Sequence, residues 1–310
     1  MRARRDDDAQ ARMNDARLRR SVHFVPGANE KMLAKSIASA ADSLVLDLED
    51  AVTPDRKDEA RRVVSDWLGS VDFASKERTV RLNPLTSPWG RADLEATMVH
   101  PPEAYLVPKV RTLEDVVQLD AEIARLERAH NHPLGGVKLF LVATETPQGV
   151  LNLPSFTRCR RVAALSWGAE DLSAAIGARR NRDEAGEYLD VFKHCRIQTL
   201  LCAAAGNVQP IDTVYVDIGN LEGLRRECRD GAWMGFTGKI TVHPDQIPIV
   251  NELFTPSLDE AREALELIAA FDEAERQGRM AFSFRGAMVD VPHLIRARTI
   301  VARARHAGVI

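Results

Sequence analysis

The sequence contains few cysteines and few aromatic residues, and each shortage excludes a class of protein. Its four cysteines form no CxxC pair and no Cys/His spacing typical of zinc sites, so we expect reduced thiols and no disulfides. Aromatic residues make up 5% of the 310 residues and the net charge is -3, whereas proteins that bind nucleic acid usually combine a basic stripe with aromatic side chains. These features predict a cytoplasmic protein with no nucleic-acid partner.

The N-terminal segment contains no apolar run. Blocks of like charge alternate there, a pattern that belongs neither to a secretory signal nor to a membrane span. We therefore predict a flexible N-terminal extension over residues 1–19 and no membrane partner.

Several common catalytic motifs are also missing. The sequence has no HExxH, GxSxG or Walker lysine motif, which counts against zinc proteases, serine hydrolases and P-loop enzymes. The turn "PGANEK" after the first predicted strand has one glycine instead of GxGxxG, which disfavours a doubly wound, dinucleotide-binding sheet. His23 and His243 form no metal-ligand spacing, and we interpret both as structural, hydrogen-bonded residues.

Short apolar runs alternate with longer helical patterns along most of the chain. Eight runs are typical of strands: "SVHFVPG", "SLVLDLED", "RTVRLNP", "AYLVPKV", "KLFLVATE", "VAALSWGAED", "IDTVYVDI" and "GKITVHP". The segments between them carry apolar residues at spacings of three and four, as amphipathic helices do. Eight βα units predict an α/β fold, a closed (β/α)8 TIM barrel over residues 20–256. Further helical patterns predict a C-terminal helical extension over residues 257–310.

Polar residues occur at the ends of most of these predicted strands. In TIM barrels the active site lies at the carboxyl ends of the strands, so these side chains are expected to surround one mouth. The residues are Asn29, Glu49, Asp50, Arg81, Asn83, Lys109, Glu145, Glu170, Asp171, Asp217 and His243.

Glu145 and Asp171 end the fifth and sixth predicted strands. Neighbouring strands lie roughly 4.8 Å apart, so the two carboxylates can reach one hard cation such as Mg²⁺ or Mn²⁺. Mg²⁺ needs few protein ligands because it keeps waters and takes further oxygens from substrate. From spacing alone, an alternative stays open in which the acids pair with arginines of the rim or cap the following helix.

Three basic residues also have two interpretations each. Arg81 can hold a carboxylate or a thioester oxygen bidentately, or form a salt bridge at the rim. Lys31 and Lys35 lie four apart on the first predicted helix, where they can bind phosphate groups or simply form a solvated face. Without other information the structural interpretation is favoured for all three.

A set of motifs in fixed order resembles one enzyme family. The motifs include "RSVHFVPGANEKMLAKS", "LVLDLEDAVTPDRKDEAR", "VRLNPL", "VPKV", "TETPQGVLNL", "LSWGAEDLSAAIG", "GKITVHPDQI" and "FRGAMVDVPHLIRAR". Together they resemble the citrate lyase β-subunit-like branch of the HpcH/HpaI aldolase superfamily, from about Arg20 to the C-terminus.

The resemblance implies a Mg²⁺-binding (β/α)8 barrel that assembles into homotrimers or hexamers, with Mn²⁺ as a substitute metal. It implies that Glu145 and Asp171 are metal ligands, that Glu145 also contacts substrate, and that Arg81 is a catalytic, substrate-binding arginine. The resemblance further implies the following roles: Lys31 and Lys35 bind the CoA portion, the backbone around Ile240 and Thr241 touches substrate, and Asp290 is a catalytic acid.

In this family-based interpretation, residues 257–310 form a lid segment that carries Asp290 into a neighbouring subunit's site. Glu49 and Asp50 then become outer-sphere acids that hold metal waters and orient Arg81 or a lysine.

The resulting functional prediction is a Mg²⁺-dependent carbon–carbon lyase. It would act on a short hydroxyacyl-CoA thioester of the malyl-CoA or citramalyl-CoA class and release an acyl-CoA and a 2-keto acid. One alternative is a citrate lyase β subunit, whose partners would be an acyl carrier protein and a lyase α subunit. Two others are a malyl-CoA thioesterase and an inactive CoA-binding subunit.

Overall fold

Eight parallel strands close into a barrel, each pairing with its neighbours in chain order, with β8 pairing back onto β1. The structure is a computed structural model that describes residues 17–27 and 29–310. The strands are β1 (Ser21–Pro26), β2 (Ser43–Asp47), β3 (Glu77–Arg81), β4 (Ala104–Val107), β5 (Lys138–Val142), β6 (Val162–Ser166), β7 (Gln209–Asp212) and β8 (Gly238–Thr241). The predicted (β/α)8 TIM barrel is confirmed.

Helices follow the strands around the barrel, with a short 3-10 turn at Pro54–Arg56. They are α1 (Glu30–Ile37), α2 (Lys57–Ser70), α3 (Gly90–Thr97), α4 (Leu113–Ala129), α5 (Pro147–Phe156), α6 (Ala169–Ala175), α7 (Asp190–Gly206), α8 (Leu221–Met234) and α9 (Gln246–Leu253). Helix α4 begins with a capping box between Thr112 and Asp115, which satisfies backbone groups that the first turn leaves unpaired. Among the described residues, no helix is long and apolar enough to cross a membrane.

The barrel has two apolar layers because successive side chains of a strand point to opposite faces. Side chains such as Val22, Val45, Phe140 and Ile211 fill the interior of the barrel. The alternate strand residues pack outward with apolar residues of the helices. The interior is therefore a packed core.

Arg19 closes the amino-terminal end of the barrel. Its guanidinium donates to both carboxylate oxygens of Glu77 at 2.6 and 2.7 Å and to the side chain of Gln209. Ser43 Oγ donates to the same carboxylate at 2.6 Å. Although the charge pattern predicts a flexible extension through residue 19, Arg19 is buried and belongs to the barrel. Residues 1–16 of that predicted extension lie outside the described part of the chain.

The seventh strand lies earlier in the chain than its apolar run predicts. It spans Gln209–Asp212, and its ladder with β8 ends at Asp212. Asp217, which the run places at a strand end, is exposed in the following loop. The run misleads because Val214 packs with the barrel interior from that loop and does not extend the ladder.

The chain divides into two compact units, and the first is the barrel unit, Arg19–Asn251. The second includes Glu252–Ile310 and contains α10 (Leu258–Arg276), the antiparallel strands β9 (Phe282–Phe284) and β10 (Ala287–Val289), and α11 (Val291–His306). The predicted helices of this region are confirmed, but the sequence pattern did not predict the β9–β10 hairpin. The two turn residues, Arg285 and Gly286, have φ values of 48° and 83°, as a type I′ turn requires.

Candidate active site

The ends of β2 and β3 bring Asp47 and Arg81 together at the mouth. The two residues are register partners, and Arg81 donates from Nε and Nη2 to the Asp47 carboxylate at 2.7 and 2.6 Å. Arg81 Nη1 lies 2.9 Å from Glu49 Oε2, and the guanidinium lies 4.7 Å from the centroid of the Phe24 ring. Burial alone would lower the pKa of Arg81, but Asp47, Glu49 and Asp50 raise it overall. Arg81 thus forms the predicted salt bridge and also lines the mouth.

The loop after β2 presents Glu49 and Asp50 because a buried lysine holds its backbone. Lys57 Nζ donates to the carbonyls of Leu48 and Glu49 at 2.7 Å each and to Asn83 Oδ1 at 2.8 Å. Asn83 Nδ2 also donates to the Leu48 carbonyl. Glu49 is buried and Asp50 is 57% exposed, so the two neighbouring acids have different surroundings.

Their pKa values shift in opposite directions. Burial raises the pKa of Glu49 even though Arg81 and Lys109 oppose the shift. For Asp50, burial is outweighed by the charges of Lys109 and Arg81, which lower its pKa.

Glu145 is a buried carboxylate in the turn after β5. Its Oε2 accepts a hydrogen bond from the backbone N–H of Lys109 at 2.5 Å. Burial and the charge of Asp171 raise the pKa of Glu145 to about 8. Gly168 makes room for this side chain, because a Cβ there would lie 2.5 Å from Glu145 Cγ.

Asp171 lies in the first turn of α6, 36% exposed, and contacts Lys109 Nζ at 3.5 Å. The cap position of α6 is Gly168, and within residues 17–27 and 29–310 no side chain caps this helix. In that part of the chain Asp171 therefore neither caps the helix nor pairs with an arginine.

Lys109 is the site residue to which the sequence assigned no role. Its ammonium lies 2.8 Å from Glu49 Oε1, 3.2 Å from Asp50 Oδ2 and 3.5 Å from Asp171 Oδ1. Burial lowers the pKa of Lys109, but the bond to Glu49 and the charges of Glu49, Asp171 and Asp50 raise it overall. The sequence signal for Lys109 was its position at the end of a predicted strand, in "VPKV".

A divalent cation fits the charge and the donors of this mouth. The carboxylates of Asp47, Glu49, Asp50, Glu145 and Asp171 outnumber the two cations, Arg81 and Lys109. Among the described residues, no group of three or more His, Cys, Asp or Glu side chains is arranged to hold a metal ion. Glu145 and Asp171 both line the cavity, and a pair of carboxylates suits a cation that takes its other ligands from water and substrate.

A cavity of about 330 Å³ opens at the mouth, which is the size of a small-molecule site. It is lined by polar residues including Asp47, Arg81, Glu145 and Asp171. Its apolar lining includes Phe24, Met32, Trp167, Val214 and Ile240. The predicted site residues Arg81, Glu145, Asp171 and Ile240 thus share one cavity.

Other predicted residues lie near this cavity or in the second unit. Lys31 and Lys35 are exposed on α1, and neither pairs with another group in the part of the chain described. Thr241 is buried, with Oγ1 3.0 Å from His23 Nδ1, and burial lowers the pKa of His23 to about 4. His23 is therefore the structural residue that its sequence context predicts.

Asp290 belongs to the second unit and occupies the cap position of α11. Its carboxylate is 40% exposed, and Oδ1 lies 2.6 Å from His293 Nδ1. His293 also lies 3.2 Å from the Asp290 backbone N–H. The sequence did not single out His293, although its spacing of three from Asp290 places both at the start of one helix.

Several predicted strand-end residues have local structural roles. Asn29 caps α1 by accepting from the Met32 N–H, and Glu170 accepts from Asn181. His243 lies 3.6 Å from Asp245 and is 40% exposed. The mouth therefore uses only part of the polar set that the strand ends supply.

Arg81 lies beside the buried acids Asp47 and Glu49 at the carboxyl ends of the strands, which is where enzymes built on a closed (β/α)8 barrel have their active sites. The model of the HpcH/HpaI aldolase/citrate lyase family matches residues 20–244, and the chain belongs to this family. The resemblance read from the motifs is confirmed.

Curated relatives span several named activities. A (3S)-malyl-CoA thioesterase of Cereibacter sphaeroides is 37% identical over 92% of this chain and 94% of that protein. The citrate lyase subunit beta of Escherichia coli is 35% identical over 97% and 98%. The mitochondrial citramalyl-CoA lyase of Mus musculus is 36% identical over 92% and 86%.

A solved structure also matches. CitE of Mycobacterium tuberculosis, in complex with magnesium, acetoacetate and coenzyme A, is 32% identical with a TM-score of 0.76. The match covers 94% of this chain and 99% of that one.

Proposed function

We propose that this protein is a Mg²⁺-dependent carbon–carbon lyase for a short hydroxyacyl-CoA thioester of the malyl-CoA or citramalyl-CoA class. It would release an acyl-CoA and a 2-keto acid. The observation that carries the proposal is the single cavity shared by Glu145, Asp171 and Arg81. The citramalyl-CoA lyase relative and the magnesium and coenzyme A bound to CitE support it.

In this proposal Glu145 and Asp171 hold Mg²⁺, with Mn²⁺ as a substitute. The bound cation would polarise the carbonyl of the 2-keto acid. Arg81, which Asp47 holds bidentately, neutralises charge that develops on the acyl thioester. A preorganised contact of this kind is worth about 3 to 4 kcal/mol of the barrier. Glu49 and Asp50 act from the outer sphere by holding Arg81 and Lys109.

The thioester carrier binds through residues at the rim. The ammoniums of Lys31 and Lys35 contact phosphate groups of CoA, and the backbone around Ile240 and Thr241 contacts substrate. Two observations support this: both lysines are exposed without partners in the described part of the chain, and Ile240 lines the cavity.

Asp290 supplies the proton that the acyl carbon gains on cleavage, and solvent takes up the proton that the substrate hydroxyl loses and reprotonates Asp290. We propose that residues 257–310 carry it to a neighbouring subunit within a homotrimer or hexamer. Its carboxylate is 40% exposed, which leaves it accessible to a substrate held by another subunit.

Hydrolysis of the thioester is the second candidate, and the malyl-CoA thioesterase relative favours it. A citrate lyase β subunit, acting with an acyl carrier protein and an α subunit, is the third. A silent CoA-binding subunit is disfavoured because the barrel retains Glu145 and Asp171 in the cavity and Glu49 and Asp50 beside Lys109.

The products decide between these activities. With malyl-CoA or citramalyl-CoA and Mg²⁺, a lyase yields a 2-keto acid, detected with phenylhydrazine, and no free thiol. A thioesterase yields free CoA thiol, detected with Ellman's reagent.

Glu145→Gln should abolish either activity, while Lys138→Met at the opposite end of the barrel should not. Absence of both products with both substrates would contradict the proposal, and cleavage of citryl-loaded carrier protein would favour the third candidate.

A further inference from the structure

Lys109 touches acids from three strand ends through two different groups. Its backbone N–H donates to Glu145 at 2.5 Å, and its ammonium contacts Glu49, Asp50 and Asp171 at 2.8, 3.2 and 3.5 Å. Its φ of 54° lies in the left-handed region, which non-glycine residues seldom adopt. The strained backbone and the side chain thus converge on one group of carboxylates.

The two contacts have different consequences for a cation held by Glu145 and Asp171. The N–H bond orients Glu145 and is independent of the lysine side chain. The ammonium, by contrast, is a fixed positive charge 3.5 Å from Asp171, which is one of the two proposed metal ligands. Two cations near one carboxylate repel each other, and at such short range the repulsion is large even where solvent screens it.

We propose that Lys109 is a positioning residue that limits the affinity of the mouth for its divalent cation. It neutralises Glu49 and Asp50, which keeps these acids in the outer sphere, and it competes with the cation for Asp171. This inference rests on the proposed metal pair. The proposal predicts that removing the ammonium tightens metal binding. If Lys109 only held the acids in place, its removal would weaken metal binding.

Binding of Mn²⁺ itself, followed by electron paramagnetic resonance at fixed ionic strength, tests this without any substrate. Lys109→Met should lower the Kd for Mn²⁺ by about tenfold or more, because one positive charge near the metal is lost. Lys109→Arg should stay within about twofold of the native value, since the charge is kept. Lys138→Met is the matched control: it removes an exposed lysine whose partner is the Gly135 carbonyl, and it should leave the Kd unchanged.

The outcomes separate this inference from the function it depends on. If the native protein binds Mn²⁺ and Glu145→Ala does not, the metal pair stands; an equal or weaker affinity in Lys109→Met then overturns the role of Lys109 alone. If the native protein binds no Mn²⁺, both proposals fail. Should Lys109→Met be unstable, Lys109→Gln removes the charge, keeps a donor for Glu49, and must show the same tightening.

Discussion

Individual acids at the end of β2 have separate tasks, which explains why a buried strand ends in carboxylates. Asp47 holds Arg81 through two hydrogen bonds. Glu49 lies between Arg81 and Lys109, and Asp50 contacts the Lys109 ammonium from a more exposed position. Arg81 and Lys109 are thereby oriented by acids at the end of β2 and in the loop that follows it.

At the residue scale, Gly168 carries a steric requirement that bears directly on Glu145. We expect Gly168→Ala to displace Glu145, because the new Cβ would lie 2.5 Å from Glu145 Cγ, closer than real Cβ contacts allow. Such overpacking costs roughly 1 to 3 kcal/mol, which corresponds to a loss of about fivefold to 150-fold in Mn²⁺ affinity if it falls on the metal site.

The measurement is again Mn²⁺ titration. Gly219→Ala is the matched control, because its Cβ would meet only Asp217 Oδ1 at 3.9 Å. Native affinity in Gly168→Ala would mean that Glu145 does not bind the metal or that the turn adjusts without cost.

At the scale of elements, a buried ion network connects β7 and β8 to the helices outside them. Asp212 accepts from Arg196 at 2.7 Å and from Trp167 Nε1 at 2.7 Å, and Lys239 Nζ lies 3.4 Å away. Lys239 also donates to Glu227 of α8 at 2.7 Å. Burial alone would raise the pKa of Asp212, but Lys239 and Arg196 lower it overall. Because Trp167 lines the mouth, this network also fixes one wall of the cavity.

Lys239→Met is expected to destabilise the barrel by about 3 to 5 kcal/mol, since breaking a buried pair leaves carboxylates without their counter-charge. Urea unfolding followed by circular dichroism measures the change. Arg56→Met, which removes an exposed pair with Glu59, should leave the unfolding curve unchanged.

The double variant Lys239→Met with Asp212→Asn should lose less stability than the two single changes added together, because the partners are coupled. Strict additivity, or a single variant as stable as the native protein, would contradict a network in which these charges depend on each other.

At the scale of the whole molecule, the two units divide the proposed chemistry. The barrel unit contains Glu145, Asp171 and Arg81, and the second unit contains Asp290. Apolar side chains of the barrel unit are exposed in a single chain, including Leu201 at 61% and Trp233 at 75%.

Subunit mixing tests whether Asp290 acts on a neighbouring barrel. Asp290→Asn and Glu145→Ala should each be inactive alone, and exchange of their subunits should restore part of the activity. The restored sites would combine an intact metal pair from one chain with an intact Asp290 from another. The control mixes Asp290→Asn with a double variant that carries both changes, which should remain inactive. Hybrids of the two single variants that form but stay inactive would show that Asp290 does not act between subunits.

The sequence predicts the eight strands, most of their ends and the closed barrel. It does so because short apolar runs alternate with amphipathic helical segments, and each such pair specifies a βα unit. The pair of acids after β5 and β6 follows for the same reason, since adjacent strands bring their ends together. The hairpin in the second unit does not, because its turn, Arg285–Gly286, lacks the Asn-Gly or Asp-Gly pattern typical of type I′ turns.

Only the tertiary structure decided which polar groups meet. Lys109 and Glu49 are 60 positions apart, and Lys57 and Asn83 are 26 apart, so no local pattern relates them. Lys109 looked like one strand-end residue among many until the barrel placed its ammonium beside three carboxylates. Local periodicity specifies where a strand ends, but the energy of a charge depends on distances across the closed barrel, which exist only once all eight strands are in place.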